Sequence, residues 1–136
     1  RNVGNIRYQH SDNTLRMSSG GSEAVVIDAG GNFNITGITT GSQFDATSDV
    51  ALKENIEVID EPINKLSELK GVTFDWKKGG HSVGVIAQDV EKVLPTAVGG
   101  SKDQKTVNYN AIIGLLVESV KDQQKQIEEL KSLLDK

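Results

Sequence analysis

Cysteine is absent from this 136-residue sequence, and large aromatic side chains are rare: there are one Trp, two Tyr and three Phe, or 4% of all residues. Without cysteine, neither a disulfide framework nor a thiolate metal site can form. With so few large side chains, the core that one chain can bury is thin. We therefore expect association with other chains to supply much of the buried surface.

A surplus of positive charge is also missing. The 15 Lys and Arg residues are outnumbered by 19 Asp and Glu residues, which gives a formal net charge of −4. Binding to a phosphate backbone depends on a clustered excess of Lys and Arg, so no nucleic acid partner is expected. No apolar run approaches the roughly 18 residues that span a bilayer, and no membrane partner is expected. Because the chain begins with Arg1 instead of methionine, we expect it to be the end of a longer polypeptide.

The first third of the chain, residues 1–47, has no lysine and no proline. Short β-like runs alternate there with turn-forming Ser, Asn and Gly, and these runs are Asn5-Ile6-Arg7-Tyr8, Thr14-Leu15-Arg16-Met17, Ala24-Val25-Val26-Ile27 and Phe33-Asn34-Ile35. Strands this short cannot make a core of their own. We predict a β-rich fibre stem in which three chains bury each other's apolar faces, with a flexible Gly/Ser-rich linker as the alternative.

The middle of the chain, residues 48–111, is predicted to form a compact α+β unit. Alternating apolar and polar residues predict strands over 52–59, 72–76 and 83–87, with Trp76 in the core. Two short helices are expected, one opened by Pro62 and the other capped by Asp89. Residues 99–105 are expected to form a loop that is too short to bind phosphate.

The last part, residues 112–136, has a heptad pattern. Apolar residues and one glutamine follow alternating steps of three and four, at Ile113, Leu116, Val120, Gln123, Ile127, Leu130 and Leu134. This spacing predicts the seam of a coiled coil, although it does not select a trimer over a dimer. A single amphipathic helix folded against its own domain is the alternative. The predicted fold class is α+β, with a β-rich stem, a compact α+β unit and a long C-terminal helix.

A serine and a lysine lie five residues apart at the junction of the first two parts, at Ser48 and Lys53. A serine hydroxyl is a poor nucleophile unless a neighbouring base accepts its proton. A lysine serves as that base once desolvation lowers the pKa of its ammonium group. Taken alone, however, such a pair is more simply a turn that leads into a strand.

Few other side chains suggest chemistry. His10 and His81 are the only histidines, so no metal site is expected, and no cofactor is expected either. Gln88 and Asp89 are candidates to line a site, although a helix cap is the simpler role for Asp89.

Four segments carry a resemblance to a known family. In order and spacing, SDVALKENIEVID, LSELKGVTFDWKKGG, VGVIAQDVEKVLPTAV and KTVNYNAIIGLLVESVKDQQKQIEELKSLL resemble the C-terminal intramolecular chaperone auto-processing domain of phage endosialidases and tail fibres or spikes. The same domain is found in myelin regulatory factor. The resemblance covers residues 48–136.

The resemblance implies a function for the whole segment. The family's domain forms a homotrimer, guides three copies of the preceding fibre into register and then cleaves itself off. Carried over to this sequence, Ser48 is the nucleophile, Lys53 is the base and Thr47-Ser48 is the scissile bond. The implied protein is a single-turnover serine endopeptidase that acts on itself.

The resemblance also implies partners and a location. The partners are two identical chains and the upstream fibre of the same polypeptide, for which a host-surface receptor is a further candidate. The location is a virion tail fibre or spike, and the chaperone part is made in the host cytoplasm and released after cleavage. Two alternatives stay open: a non-cleaving trimerisation or receptor-contact tip, and a soluble fragment of a membrane-bound transcription factor. The fibre-like first third disfavours the second of these.

Overall fold

The computed structural model describes residues 3–135. The chain forms two compact units, which divide between Leu52 and Lys53. Arg1 and Asn2, at the start of the predicted stem, and Lys136, at the end of the predicted coiled coil, lie outside the described residues.

The first unit contains a four-stranded antiparallel sheet. Its strands follow one another in sequence order and are β1 (Gly4–Gln9), β2 (Thr14–Ser19), β3 (Ser22–Ile27) and β4 (Phe33–Ile35). All four short runs predicted from the sequence are therefore confirmed as strands. The register shifts between Met17 and Ser18, where a β-bulge accommodates one extra residue of β3.

One face of this sheet carries two rows of apolar side chains. Residues paired across neighbouring strands share a face, and two rows of pairs bring together Ile6, Met17, Val25 and Ile35, and Tyr8, Leu15, Ile27 and Phe33. Ile6 is 71% exposed and Phe33 is 61% exposed. The unit by itself therefore leaves much of this apolar face uncovered.

Polar residues organise the opposite face and one turn of the sheet. Arg16 forms ion pairs with Asp12 at 2.6 Å and with Glu23 at 2.7 Å. In the turn between β3 and β4, the Asp28 carboxylate accepts hydrogen bonds from the backbone N–H groups of Gly30 and Asn32, both at 2.9 Å. These bonds satisfy turn donors that no strand pairs.

Among its described residues, 53–135, the second unit contains three helices and two hairpins. In chain order its elements are α1 (Pro62–Ser67), β5 (Val72–Asp75), β6 (His81–Gly84), α2 (Ala87–Val93), a 3₁₀ turn (Pro95–Ala97), β7 (Val98–Gly100), β8 (Lys105–Val107) and α3 (Tyr109–Leu134). The strand β5 pairs with β6, and β7 pairs with β8, both antiparallel. The combination of sheets with a long C-terminal helix is the predicted α+β class.

A small core joins these elements. Val90 of α2, Ala97 of the 3₁₀ turn and Leu115 of α3 are its buried apolar side chains among the described residues. Helix α1 packs on α3, and α2 contacts the β7–β8 hairpin. Asn108 caps α3, because its side-chain oxygen accepts a hydrogen bond from the Asn110 N–H at 3.0 Å.

The strand predicted over residues 52–59 is wrong. Val50–Leu52 forms a 3₁₀ turn, and Asn55 has a left-handed φ of 51°, which interrupts an extended chain. No described strand pairs with this segment. Its alternating pattern therefore lacks the ladder partner that would make it a strand.

Three predictions around α2 also need correction. The strand predicted over residues 83–87 is β6, which ends at Gly84 because its pairing with β5 ends there, and Ala87 already begins α2. Asp89 is not the N-cap: that position is Ile86, while Asp89 lies in the first helical turn and pairs with Lys92 at 2.7 Å. The loop predicted over residues 99–105 is a hairpin, since β7 and β8 pair across it.

Trp76 is not a core residue. Its side chain is 61% exposed, because β5 ends at Asp75 and Trp76 begins the turn to β6. Its backbone N–H donates to the Gly80 carbonyl at 2.9 Å, and its ring meets that of Phe74 edge to face, with centroids 5.0 Å apart.

Helix α3 packs on its own unit through a face other than the predicted seam. The packed face includes the buried residues Leu115 and Ser119, whereas the apolar seam residues are all exposed: Ile113, Leu116, Val120, Ile127, Leu130 and Leu134. From residue 123 to residue 135, every side chain is exposed. The seam is thus left open by the single chain, and its coiled-coil pairing stays a prediction.

Candidate functional site

The predicted cleavage site lies at the end of an exposed connecting segment. Residues 36–49 contain no helix or strand and are exposed throughout. Thr47 and Ser48 are near the end of this segment, directly before the 3₁₀ turn. The bond between them is therefore accessible in the first unit, as a cleavable bond requires.

Asp49 builds the 3₁₀ turn that follows Ser48. Its carboxylate accepts a hydrogen bond from the Ala51 N–H at 2.8 Å, and its carbonyl accepts one from the Leu52 N–H at 3.2 Å. A short side chain that accepts a bond from the N–H two residues further on is the usual way in which aspartate starts a turn. The sequence signal of such a turn is an aspartate directly before a short apolar run.

Lys53 is the first residue of the second unit and is exposed in the single chain. It begins the irregular stretch 53–60, in which Val58 is 75% exposed, while Ile59 faces α3. A Cβ added to Gly114 would lie 3.7 Å from Cδ1 of Ile59, so these two residues pack together. Ile59 is therefore packed on α3, whereas its neighbour Val58 is exposed.

The other residues considered from the sequence have local roles. The pKa of the Asp89 carboxyl is lowered and the pKa of the Lys92 ammonium is raised by the hydrogen bond and charge attraction between them. Nδ1 of His81 lies 2.9 Å from a carboxylate oxygen of Asp75, across the β5–β6 hairpin. His10 contacts the Tyr8 ring edge to face.

Among residues 3–135, no three His, Asp or Glu side chains are grouped in a way that could hold a metal ion. No helix within the same range has the length and apolar character needed to cross a bilayer.

The family comparison matches the segment that contains these residues. Residues 48–99 match the family model described as the chaperone of endosialidase. Over these residues the chain is similar to the chaperone of endosialidase family, in agreement with the resemblance stated from the sequence. The matched range starts at Ser48.

Curated relatives are long tail fiber proteins of phages, named Gp37. The chain is 38% identical over 98 residues to the protein of Enterobacteria phage K3, which covers 64% of this chain and 8% of that protein. It is 37% identical over 101 residues to the protein of Salmonella phage S16, with coverage of 65% and 14%. The protein of Enterobacteria phage M1 is 33% identical over 99 residues, with coverage of 64% and 39%. The chain thus spans a minor part of the length of these relatives.

Proposed function

We propose that this chain is part of a phage tail fibre, in which it brings three copies of the fibre into register and then cleaves itself between Thr47 and Ser48. The fibre assignment is supported by the similarity to long tail fiber proteins. The observation that carries the cleavage assignment is the start of the family match at Ser48, which becomes the new N-terminus if the bond before it is cut. The proposed location is the virion tail.

Two open apolar surfaces support association of identical chains. The first is the apolar sheet face of the first unit, and the second is the heptad seam of α3. Contiguous apolar surfaces are rarely left in water, because their burial is favourable by about 25 cal/mol per Å². In an assembly of three chains, the sheet face of each chain would pack on the sheet faces of the other two, and the seam of each α3 would pack on the other two seams.

The proposed chemistry uses two residues of the chain and one water. The Ser48 Oγ attacks the Thr47 carbonyl carbon while Lys53, as a neutral amine, accepts the hydroxyl proton. The C–N bond breaks, the proton passes to the leaving nitrogen of Ser48, and an ester joins Thr47 to Ser48 Oγ. Water then hydrolyses the ester, which leaves a Thr47 carboxylate and restores the serine hydroxyl and the base.

Assembly provides the control of this reaction. Lys53 is exposed in the single chain. Closing three chains around the amine would exclude water and favour the neutral form. Cleavage then follows correct assembly instead of preceding it.

The test is the intact mass of the freshly purified chain and of two variants. The wild type should give two products, which begin at Arg1 and Ser48, whereas Ser48→Ala and Lys53→Ala should assemble but keep the full mass. Ser42→Ala, in the same exposed segment, is the matched control and should cleave normally. A single full-length species from the wild type would contradict cleavage and would indicate a non-cleaving trimerisation tip.

Adventitious proteolysis gives a different product and can be recognised. The sequence contains no Lys or Arg from residue 17 to residue 52. A trypsin-like protease that cuts near the site must therefore cut after Lys53 and produce a chain that begins at Glu54. A product that begins at Ser48 and is lost in Ser48→Ala and Lys53→Ala supports the proposed reaction, and a product that begins at Glu54 in its place contradicts it.

A further inference from the structure

We propose that Asp49 is a positioning residue for the self-cleavage described above, and this inference rests on that proposed function. Asp49 follows the nucleophile directly, and its two hydrogen bonds hold the 3₁₀ turn Val50–Leu52. The role assigned to Asp49 is to fix the backbone on the C-terminal side of Ser48, and it takes no part in the proton transfers.

Packing of its own apolar side chains gives the turn little support in the single chain. Val50 is 69% exposed and Leu52 is 72% exposed, so packing does not hold these residues in place. A three-residue 3₁₀ turn in water is marginal, because its few hydrogen bonds must offset the ordering of its backbone. The Asp49 carboxylate adds a bond to the Ala51 N–H, a donor that the turn itself leaves unsatisfied.

The chemistry explains why this turn matters. Formation of the ester requires the Ser48 Oγ to approach the carbonyl carbon of Thr47 at about 3–3.5 Å, and a misplaced nucleophile loses rate steeply. A 3₁₀ turn also advances about 2 Å per residue, compared with about 3.3 Å for an extended chain. The turn thereby shortens the chain path that leads from Ser48 toward Lys53.

Two substitutions separate the hydrogen bond that the Asp49 side chain makes from the charge that it carries. Asparagine has an oxygen at the same distance from the backbone as aspartate and can accept the Ala51 N–H bond, but it carries no charge. Glutamate keeps the charge, but its longer side chain does not make this bond well. Asp49→Asn and Asp49→Glu therefore form a matched pair that tests the turn against the carboxylate charge.

The experiment is a time course of cleavage for the full 136-residue chain made by cell-free translation and followed on denaturing gels. Asp49→Asn should cleave at a rate within about threefold of the wild-type rate. Asp49→Glu and Asp49→Ala should cleave more slowly than the wild type by about tenfold, the factor expected from the loss of a capping bond. Asp45→Ala, upstream in the same exposed segment, is the control and should cleave at the wild-type rate. The assembled mass and the unfolding temperature are measured for each chain and should not change.

Each result has a separate meaning. If the wild type does not cleave, both the proposed function and this inference fail. If the wild type cleaves and all Asp49 variants match it, or if Asp49→Glu is fast while Asp49→Asn is slow, only the positioning role fails. Should Asp49→Ala fail to assemble, the Asn and Glu pair still decides the question, since both keep a polar side chain at this exposed turn.

Discussion

At the scale of single residues, backbone conformation decides which positions tolerate change. Gly100 closes the β7–β8 hairpin with a left-handed φ of 86°, and a Cβ added there would lie 2.2 Å from the carbonyl oxygen of Gln104. Only glycine fits this position without a shift of the neighbouring backbone. The sequence marks residues 99–105 as Gly-rich but does not show which glycine is constrained.

Gly100→Ala is expected to destabilise the second unit by about 1–3 kcal/mol, because it adds a steric clash to an unfavourable φ. Gly71→Ala is the matched control, since no atom lies within 4 Å of a Cβ at that position. Thermal unfolding followed by circular dichroism measures both. Equal unfolding temperatures for the two variants would contradict the constraint at Gly100.

Asp28 makes the stability of the first unit depend on pH. The pKa of its carboxyl is lowered, first by the side-chain hydrogen bond from Asn32 and then by the backbone N–H groups of Asn32 and Gly30. In the acid range the unfolded chain therefore binds more protons than the folded chain, and stability rises with pH. The contribution is complete above the unfolded pKa of about 3.9 and is lost as the pH falls through the lowered folded value.

The measurement for Asp28 is an NMR titration of the Gly30 and Asn32 amides between pH 7 and pH 2. Their shifts should change together as Asp28 is protonated, below the pH at which an unperturbed aspartate titrates. In Asp28→Asn this common transition should disappear. An unchanged titration in that variant would assign the transition to another carboxyl.

Residue identity alone predicts local roles poorly where two elements meet. Asp89 has the residue type and position of a helix cap, yet α2 begins two residues earlier, at Ala87, shortly after β6 ends at Gly84. Trp76 is a residue of a type that is commonly buried, yet β5 ends before it and it lies exposed in a turn. In both cases the strand boundary decides the outcome, and strand boundaries depend on pairing that a single sequence does not show.

At the scale of elements, patterns with a partner inside the chain are the ones that the sequence predicts well. The four short runs of the first third form a sheet because each has a neighbour within a few residues. The alternating run over residues 52–59 has no such neighbour and forms no strand. An alternation of apolar and polar residues therefore predicts which side chains would share a face, and pairing with a neighbouring segment decides whether a strand forms.

Two adjacent valines of β3 test the assignment of the sheet faces. Val25 lies on the apolar face, paired with Met17 and Ile35, whereas Val26 lies on the other face, paired with Arg16 and Asn34. Val25→Gln should destabilise the assembled stem by about 1–2 kcal/mol per chain, because it puts an amide into the apolar contact between chains. Val26→Gln should have a much smaller effect on thermal unfolding and on the mass measured by light scattering. The reverse order would contradict the assigned faces.

Helix α3 offers a similar test of its seam. Val120→Asp puts a carboxylate at an exposed seam position, where it would meet the same charge on the neighbouring chains, so the assembly should dissociate to monomers. Lys125→Asp changes the charge on the side of the helix away from the seam and should leave the assembly intact. Light scattering distinguishes the two, and helix content should stay high near the packed residue Leu115. An assembled Val120→Asp variant would place the contact elsewhere.

At the scale of the whole molecule, the chain combines two units that each leave an apolar surface open. The heptad spacing predicts the seam, and the structure adds that α3 uses a second face to pack on α1. The proposed self-cleavage site has the least intrinsic signal, because a serine and a lysine five residues apart follow no structural period. Only the four ordered segments of the resemblance single it out.

Assembly and cleavage should be lost together when the open part of α3 is removed. A chain that ends at Asp122 keeps the packed residues Leu115 and Ser119 but lacks the exposed residues that follow. Its second unit should stay folded, since those contacts are intact, yet it should be monomeric and should not cut the Thr47-Ser48 bond. Intact mass and light scattering of one sample check both expectations. Cleavage of the Thr47-Ser48 bond by a monomeric chain would contradict the expectation that cleavage depends on assembly.

The order of elements along the polypeptide has a consequence for biosynthesis. The ribosome makes α3 after every strand of the first unit, and this helix bears the heptads. A product that terminates before Tyr109 carries the strands of the first unit but not the heptads of α3. If copies associate through the proposed seam, this contact is open only to chains that have been translated through α3.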